Sequence, residues 1–157
     1  MADTAGSRFA DPAADSPGFL LWQVTMAWQR EIAEALRPLD LTHVQFVLLA
    51  CTWWLGRSDT PPSQLDVGRQ AGTDPKMTSE VLRRLEAKGL VVRTVDASDT
   101  RVRRIEVTAA GAELARSAVR VVEGADARFF GSHSREVLSS LRSLGGRARS
   151  PRSQGNG

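Results

Sequence analysis

Asp74-Pro75-Lys76-Met77-Thr78-Ser79-Glu80-Val81-Leu82-Arg83-Arg84-Leu85-Glu86-Ala87-Lys88-Gly89-Leu90-Val91 is a helix with its start and stop signals written into it, running straight into a strand. Asp74 can accept from the orphan N–H groups of the first turn, and Pro75 occupies the first helical position, where a missing N–H costs nothing. Met77, Val81, Leu82 and Leu85 recur at helical spacing and predict the buried stripe. Gly89 follows as the residue able to take the left-handed conformation, with Leu90 placed to fold back on the stripe. The opposite side carries Lys76, Thr78, Ser79, Glu80, Arg83 and Arg84; all but Glu80, whose carboxylate only accepts, can donate to phosphates and base edges. Several of them lie in the first two turns, the part of a helix that reaches into a major groove. Taken alone, such a segment supports a solvated amphipathic helix equally well.

The flanking sequence breaks the tie. Val91 to Val95 reads as a strand, Asp96 to Arg101 as a polar turn, and Val102 to Val107 as a second strand, which together make a hairpin with a basic tip. Upstream, Pro62 to Ala71 reads as a short helix and Gly72-Thr73 as a tight turn. Helix, turn, helix, hairpin is the order of a winged helix-turn-helix.

From Ser63 to Thr108 the chain resembles the MarR family of transcriptional regulators, in the Gly89-Leu90-Val91 exit, in Asp99 two residues before Arg101, and in Thr108-Ala109-Ala110-Gly111 opening a further helix. The likeness extends over about Gly18 to Leu144, because Leu41-Thr42-His43-Val44-Gln45-Phe46-Val47-Leu48-Leu49 resembles that family's second helix. It implies a mainly α fold with a small β-hairpin wing. In it a winged helix-turn-helix over 41–107 is flanked by dimerisation helices over 18–38 and 108–144. Three positions depart from the pattern. Gly68 stands where the family usually has alanine, Thr73 where it usually has leucine, and Leu65 where a polar residue is usual. A glycine inside a helix costs roughly 1 kcal/mol relative to alanine, so a softer first helix is expected.

The resemblance further implies a homodimer on an inverted-repeat double-stranded DNA operator. The contacts would come from Ser63, Gln64, Lys76, Thr78, Ser79, Arg83, Arg84, Asp99, Arg101 and Arg103. Arg101 would enter the minor groove and Asp99 would orient it; without the preceding helix, the same pair reads as an ordinary surface ion pair. The family pattern also implies a repressor released by a small aromatic or phenolic ligand bound between the dimerisation helices and the winged helix, with Trp22, Trp28, His43, Phe46 and Trp53 as candidate contacts. Aromatic residues at helical spacing read equally as core and dimer interface. A winged helix that binds proteins and not DNA is the alternative function, since fold does not fix function.

Composition agrees with these readings. A chain of 157 residues is one domain's worth of material. Its formal charge of +3 resides in the tail from Gly145 to Gly157, where Arg147, Arg149 and Arg152 stand with no acid; the remainder is neutral. Affinity for DNA must then come from positioned arginines and from doubling the surface, not from a broad positive field. No run of about 18 apolar residues exists, and Met1 to Ser7 lacks the basic and apolar regions of a signal peptide, so a cytoplasmic location is expected. The single cysteine, Cys51, lies in an apolar run and reads as a small core residue. A glycine-rich phosphate loop and a paired-histidine metal motif are both missing, and neither His43 nor His133 lies beside a serine or cysteine in a recognisable nucleophilic arrangement; no enzyme and no cofactor are expected.

Residues 1–17 and 145–157, rich in Ala, Asp, Ser, Gly, Pro and Arg, are expected to be mobile. Between them, Phe19 to Leu36 carries an apolar stripe stopped at Pro38, and Thr42 with Gln45 forms a capping box opening a helix that runs to about Gly56. Thr108 to about Phe130 and a last short helix with Val137, Leu138, Leu141 and Leu144 offer more apolar surface than a winged helix can cover.

Overall fold

The computed structural model describes residues 6–149. Helix α1 (Pro12–Asp15) is a single turn capped by the Asp11 carboxylate, and it lies within the segment expected to be mobile. Ser16 caps α2 (Pro17–Leu36), whose second residue-pair of signals, Pro17 at the start and Pro38 in the closing 3-10 turn, bounds it at both ends. The turn ends at Asp40, a non-glycine residue in the left-handed region at φ 52°. Next, α3 (His43–Leu55) starts with the anticipated capping box: the Thr42 hydroxyl accepts from the Gln45 N–H, and the Gln45 side chain accepts from the Thr42 N–H. This helix is the hub of the molecule. It packs against α2, α4 (Gln64–Ala71), α5 (Pro75–Ala87), β2 (Arg103–Val107) and α6 (Ala109–Phe130).

Burial explains the arrangement. Leu48 and Leu49 of α3 are fully buried among Ile32 and Leu36 of α2, Val67 of α4, Leu82 and Leu85 of α5, and Ile105 of β2. Fully burying a leucine or isoleucine contributes about 1.5–3 kcal/mol, so these residues fix how α4, α5 and the wing sit on α3. Along α6 the stripe Ala115, Ala118, Val122 and Ala125 is made of small residues, which lets that long helix close against α2 and α3. The wing is the antiparallel pair of β1 (Val91–Val95) and β2, in a register that sets Val91 opposite Val107 and Val95 opposite Arg103. Finally, α7 (Ser134–Arg149) packs against α6 and the intervening 3-10 turn and leaves Leu138, Leu141 and Leu144 exposed.

Apart from the added turn of α1, the element order is the one anticipated, with three further differences. The last helix is sixteen residues long, not short, and carries helical structure through Gly145 to Arg149 of the supposed tail; residues 150–157 lie outside the described part. Met77 is not part of the buried stripe, being 45% exposed. Thr78 takes its place and is 1% exposed. The phase of the helix sets Thr78 three and four residues before Val81 and Leu82, and its hydroxyl escapes the cost of burial by making hydrogen bonds.

Candidate nucleic-acid interface

Helix α4 begins at Ser63, whose hydroxyl accepts from the Asp66 N–H at 3.1 Å and donates to the Asp66 carboxylate at 2.6 Å, while the Ser63 N–H donates to the same oxygen at 3.0 Å. These bonds hold the Asp66 carboxyl below the usual carboxylate range. Gly72, at φ 71°, closes the helix by turning the chain left-handed. Two residues later Asp74 caps α5, accepting from the Met77 N–H at 2.9 Å. At the far end the Leu90 N–H reaches the Leu85 carbonyl and the Gly89 N–H reaches that of Glu86, the paired bonds of a Schellman stop around Gly89 at φ 71°.

The wing is braced from below. Asp96 accepts from the Ser98 N–H and hydroxyl, from the Asp99 N–H and from Arg104 Nε, the last at 2.6 Å, and these donors hold its carboxyl far below its ordinary range. Arg104 also donates to the Pro61 carbonyl at 3.1 Å, and the Ile105 N–H donates to the Pro62 carbonyl at 2.9 Å. The backbone entering α4 is therefore hydrogen-bonded to β2, with Ser63 and Arg104 forming an antiparallel bridge.

At the tip, Asp99 holds Arg101 three times. Arg101 Nε donates to Asp99 Oδ1 at 3.0 Å, Nη2 donates to Oδ2 at 3.1 Å, and the Arg101 N–H donates to Oδ1 at 3.0 Å. The fork fixes the direction of a guanidinium that is 88% exposed, and the pairing holds Asp99 below the usual carboxylate range. Its energy in water is small. What it supplies is a cation already aimed, with less rotamer freedom to lose on meeting an anion.

A groove of about 500 Å³ runs between α4, the start of α5 and the wing, lined by Ser63, Gln64, Thr78, Arg101 and Arg103 among the expected contacts. Arg103 donates to the Thr100 carbonyl across the tip. On α5, Lys76 and Arg83 are exposed and Ser79 is half-buried, all three on the side away from the core. Arg84 is paired with Glu80 one turn back, at 2.6 Å. Thr78 is corrected from a surface contact to a buried residue, because its hydroxyl bonds Thr73 and the Asp74 carbonyl inside the fold. Arg69 and Leu65 also line the groove and were not singled out as contacts; their four-residue spacing, which places them on one face of α4, was the available signal. Asp96 was missed too, although Asp-x-Ser is a turn signature.

The expected ligand residues are not gathered around one cavity. A cleft of about 710 Å³ lies between the end of α2, the start of α3 and the end of α5, and only His43 of the five lines it, beside Arg30, Arg37 and Lys88. Trp28 stands edge-on to His43 at 5.0 Å between ring centres and donates from its indole to Asp126 on α6 at 2.7 Å. Partial burial pushes the His43 imidazole below its ordinary value, with Asp126 opposing the shift. Phe46 and Trp53 pack against the core, and Trp22 is 61% exposed near the start of α2. Burial raises the Cys51 thiol, which suits a packing role and not a reactive one. Among the described residues no group of three His, Cys, Asp or Glu could hold a metal, and no helix is long and apolar enough to cross a membrane.

A capped helix docked on a shorter one, with a braced hairpin presenting an aimed arginine beside them, defines a winged helix-turn-helix protein. The chain belongs to the MarR family of transcriptional regulators. The model of that family matches residues 41–102. Over 141 residues the chain is 40% identical to the uncharacterized HTH-type transcriptional regulator YdcH of Bacillus subtilis, covering 88% of this chain and 95% of that protein. The crystal structure of CouR from Rhodococcus jostii bound to p-coumaroyl-CoA superposes with a TM-score of 0.73 at 29% identity, covering 88% of this chain and 92% of CouR. The Mycobacterium tuberculosis protein Rv2887 in complex with DNA superposes with a TM-score of 0.64 at 32% identity, covering 82% and 97% of the two chains. Its complex with salicylic acid gives 0.62 at 35% identity over 84% and 98%.

Proposed function

We propose that this protein is a sequence-specific double-stranded DNA-binding regulator that represses transcription as a homodimer and is released by a small aromatic or phenolic ligand. The observation that carries the DNA reading is the fork of Asp99 on Arg101 at the tip of a wing whose groove is shared with the start of α5. An aimed cation at the end of a narrow hairpin suits a minor groove, and the polar outer face of α5, with Lys76, Ser79 and Arg83, suits the adjacent major groove. Arg103, Gln64 and the region of Ser63 line the intervening groove and are assigned to the phosphate backbone. The DNA complex of Rv2887 supports this reading. Exposed Phe19, Leu21 and Trp22 on α2, with Leu138, Leu141 and Leu144 on α7, support a second copy as partner for the terminal helices.

Ligand release rests on the salicylic acid and p-coumaroyl-CoA complexes of two relatives and on the cleft at His43, where Arg30 offers a partner for a carboxylate, while Arg37 and Lys88 are paired with Glu34 and Asp40 of the same cleft. As a regulator of transcription, the protein acts in the cytoplasm. The deciding experiment is selection of duplexes from a random-sequence pool, followed by binding isotherms with and without salicylate or p-coumarate. Enrichment of an inverted repeat is expected, with weaker binding when ligand is present, because a ligand changes DNA affinity only by preferring one conformation. Failure to enrich any duplex would favour the protein-interaction reading.

A further inference from the structure

Three residues where α4 meets α5 make one hydrogen-bonded unit. The Thr78 hydroxyl donates to the Asp74 carbonyl at 2.8 Å and lies 2.8 Å from the Thr73 hydroxyl. Each hydroxyl has a single proton, and that of Thr78 is committed to Asp74, so Thr73 donates to Thr78. The Thr73 N–H in turn donates to the Gly68 carbonyl at 3.0 Å. Gly68 is buried, and a Cβ built on it would stand 2.8 Å from the Thr78 hydroxyl oxygen and 3.4 Å from its methyl. The threonine side chain therefore fits against bare α4 backbone, and it fits only because residue 68 lacks a side chain. Gly68 and Thr73, two of the three departures from the family pattern, are thus joined through Thr78.

We propose that Gly68, Thr73 and Thr78 are positioning residues that fix the rotation and depth of the start of α5 against α4, and so determine which bases its outer side chains reach. The inference rests on the DNA-reading function. Thr78 lies in the first two turns, between Lys76 and Ser79. With side chains a helix has a radius of about 5–6 Å, so a rotation of only 10° moves a side-chain tip by about 1 Å, enough to break a hydrogen bond to a base edge. Apolar packing tolerates such a slide. The Thr78–Asp74 bond is internal to the start of α5, but the directional Thr73–Thr78 hydroxyl bond, anchored to α4 through the Thr73 N–H on the Gly68 carbonyl, does not tolerate it inside a contact of this closeness.

The test uses the full chain and duplexes that the unmodified protein selects from a random pool. Binding isotherms rank each variant's affinity over single-base changes of the best duplex, and thermal unfolding and amide exchange over residues 73–79 are followed without DNA. Gly68→Ala and Thr73→Val are expected to alter the ranking, with preferences shifting by about fivefold or more at base pairs under the start of α5. They should also speed exchange of the Thr78 and Ser79 amides. Thr78→Ser, which keeps the hydroxyl, should preserve the ranking, and adding Thr78→Ala to Gly68→Ala should reverse part of the change by making room for the new methyl. Should Gly68→Ala not fold, Thr73→Val carries the same comparison without a new methyl against the Thr78 side chain. Folded variants that lose thermal stability but keep the ranking overturn the positioning role and leave DNA reading intact. If the unmodified protein selects no duplex, the DNA reading itself fails and this role falls with it.

Discussion

The carbonyl oxygen of Leu90 lies 1.9 Å from where a Cβ on Gly111 would stand. Helix α6 thus begins in direct backbone contact with the exit of α5, and the contact is bonded on both sides: the Thr108 hydroxyl donates to the Gly89 carbonyl at 2.7 Å and the Thr108 N–H donates to that of Leu90 at 3.0 Å. Gly111→Ala must push the two backbones apart. A loss of about 1–3 kcal/mol or more in unfolding free energy is expected, read as a lower urea midpoint with unchanged slope. A variant as stable as the parent would mean that α6 does not start on this carbonyl.

Arg101→Ala is expected to weaken operator binding by roughly tenfold to a hundredfold, to do so for most operators alike, and to make the dependence of affinity on salt shallower. Asp99→Ala should give a smaller loss of the same kind, since it frees the guanidinium without removing its charge. Isotherms at two salt concentrations check both. An Arg101→Ala protein with parental affinity and salt slope would remove the wing from the groove.

Acid should loosen the fold at His43. Its imidazole is held below the ordinary value of 6.5 by burial, so the folded protein favours the neutral ring and the unfolded chain takes up the proton first as pH falls. The stability contributed by the neutral ring is complete above that ordinary value and is lost as pH falls through the lower folded value. Urea midpoints measured from pH 7.5 down to 5.5 should decline, and His43→Gln should flatten the decline over this window. An equal slope in both proteins would show that other groups carry it.

Light scattering at micromolar concentration should report twice the chain mass for the unmodified protein. Glutamate substituted for both Leu138 and Leu141, two exposed residues on α7, should give a monomer with unchanged helical circular dichroism. A variant that stays dimeric would place the interface elsewhere.

What could be read from sequence was what is decided within a few residues. The caps at Asp74 and Thr42 and the Gly89 stop are local chemistry, and each appears where its signature stands. Asp99 and Arg101 are two residues apart, and their fork followed from spacing. Thr78 lies inside although pattern reading counts a hydroxyl as surface: the Thr73 hydroxyl and the Asp74 carbonyl satisfy it, and the space it occupies is left by Gly68 on the neighbouring helix. Arg104 bonds the Pro61 carbonyl across 43 residues, a pairing that no window of sequence contains. Periodicity likewise says that Trp22 and Trp28 are on a helix, not what that helix meets: Trp28 stands against His43, while Trp22 is exposed.

The bonds from Arg104 and Ile105 to Pro61 and Pro62 stitch the hairpin to the entry of α4. These bonds tie the wing to α4, and α4 packs against α5, so under the proposed function the three elements are expected to act as one reading head. In the proposed dimer, an event between the terminal helices is expected to change how far apart the two heads stand and at what angle, and to leave what each head spells unchanged. Control of this kind tunes spacing and leaves vocabulary untouched, so a ligand that releases the operator should weaken every operator of that spacing together.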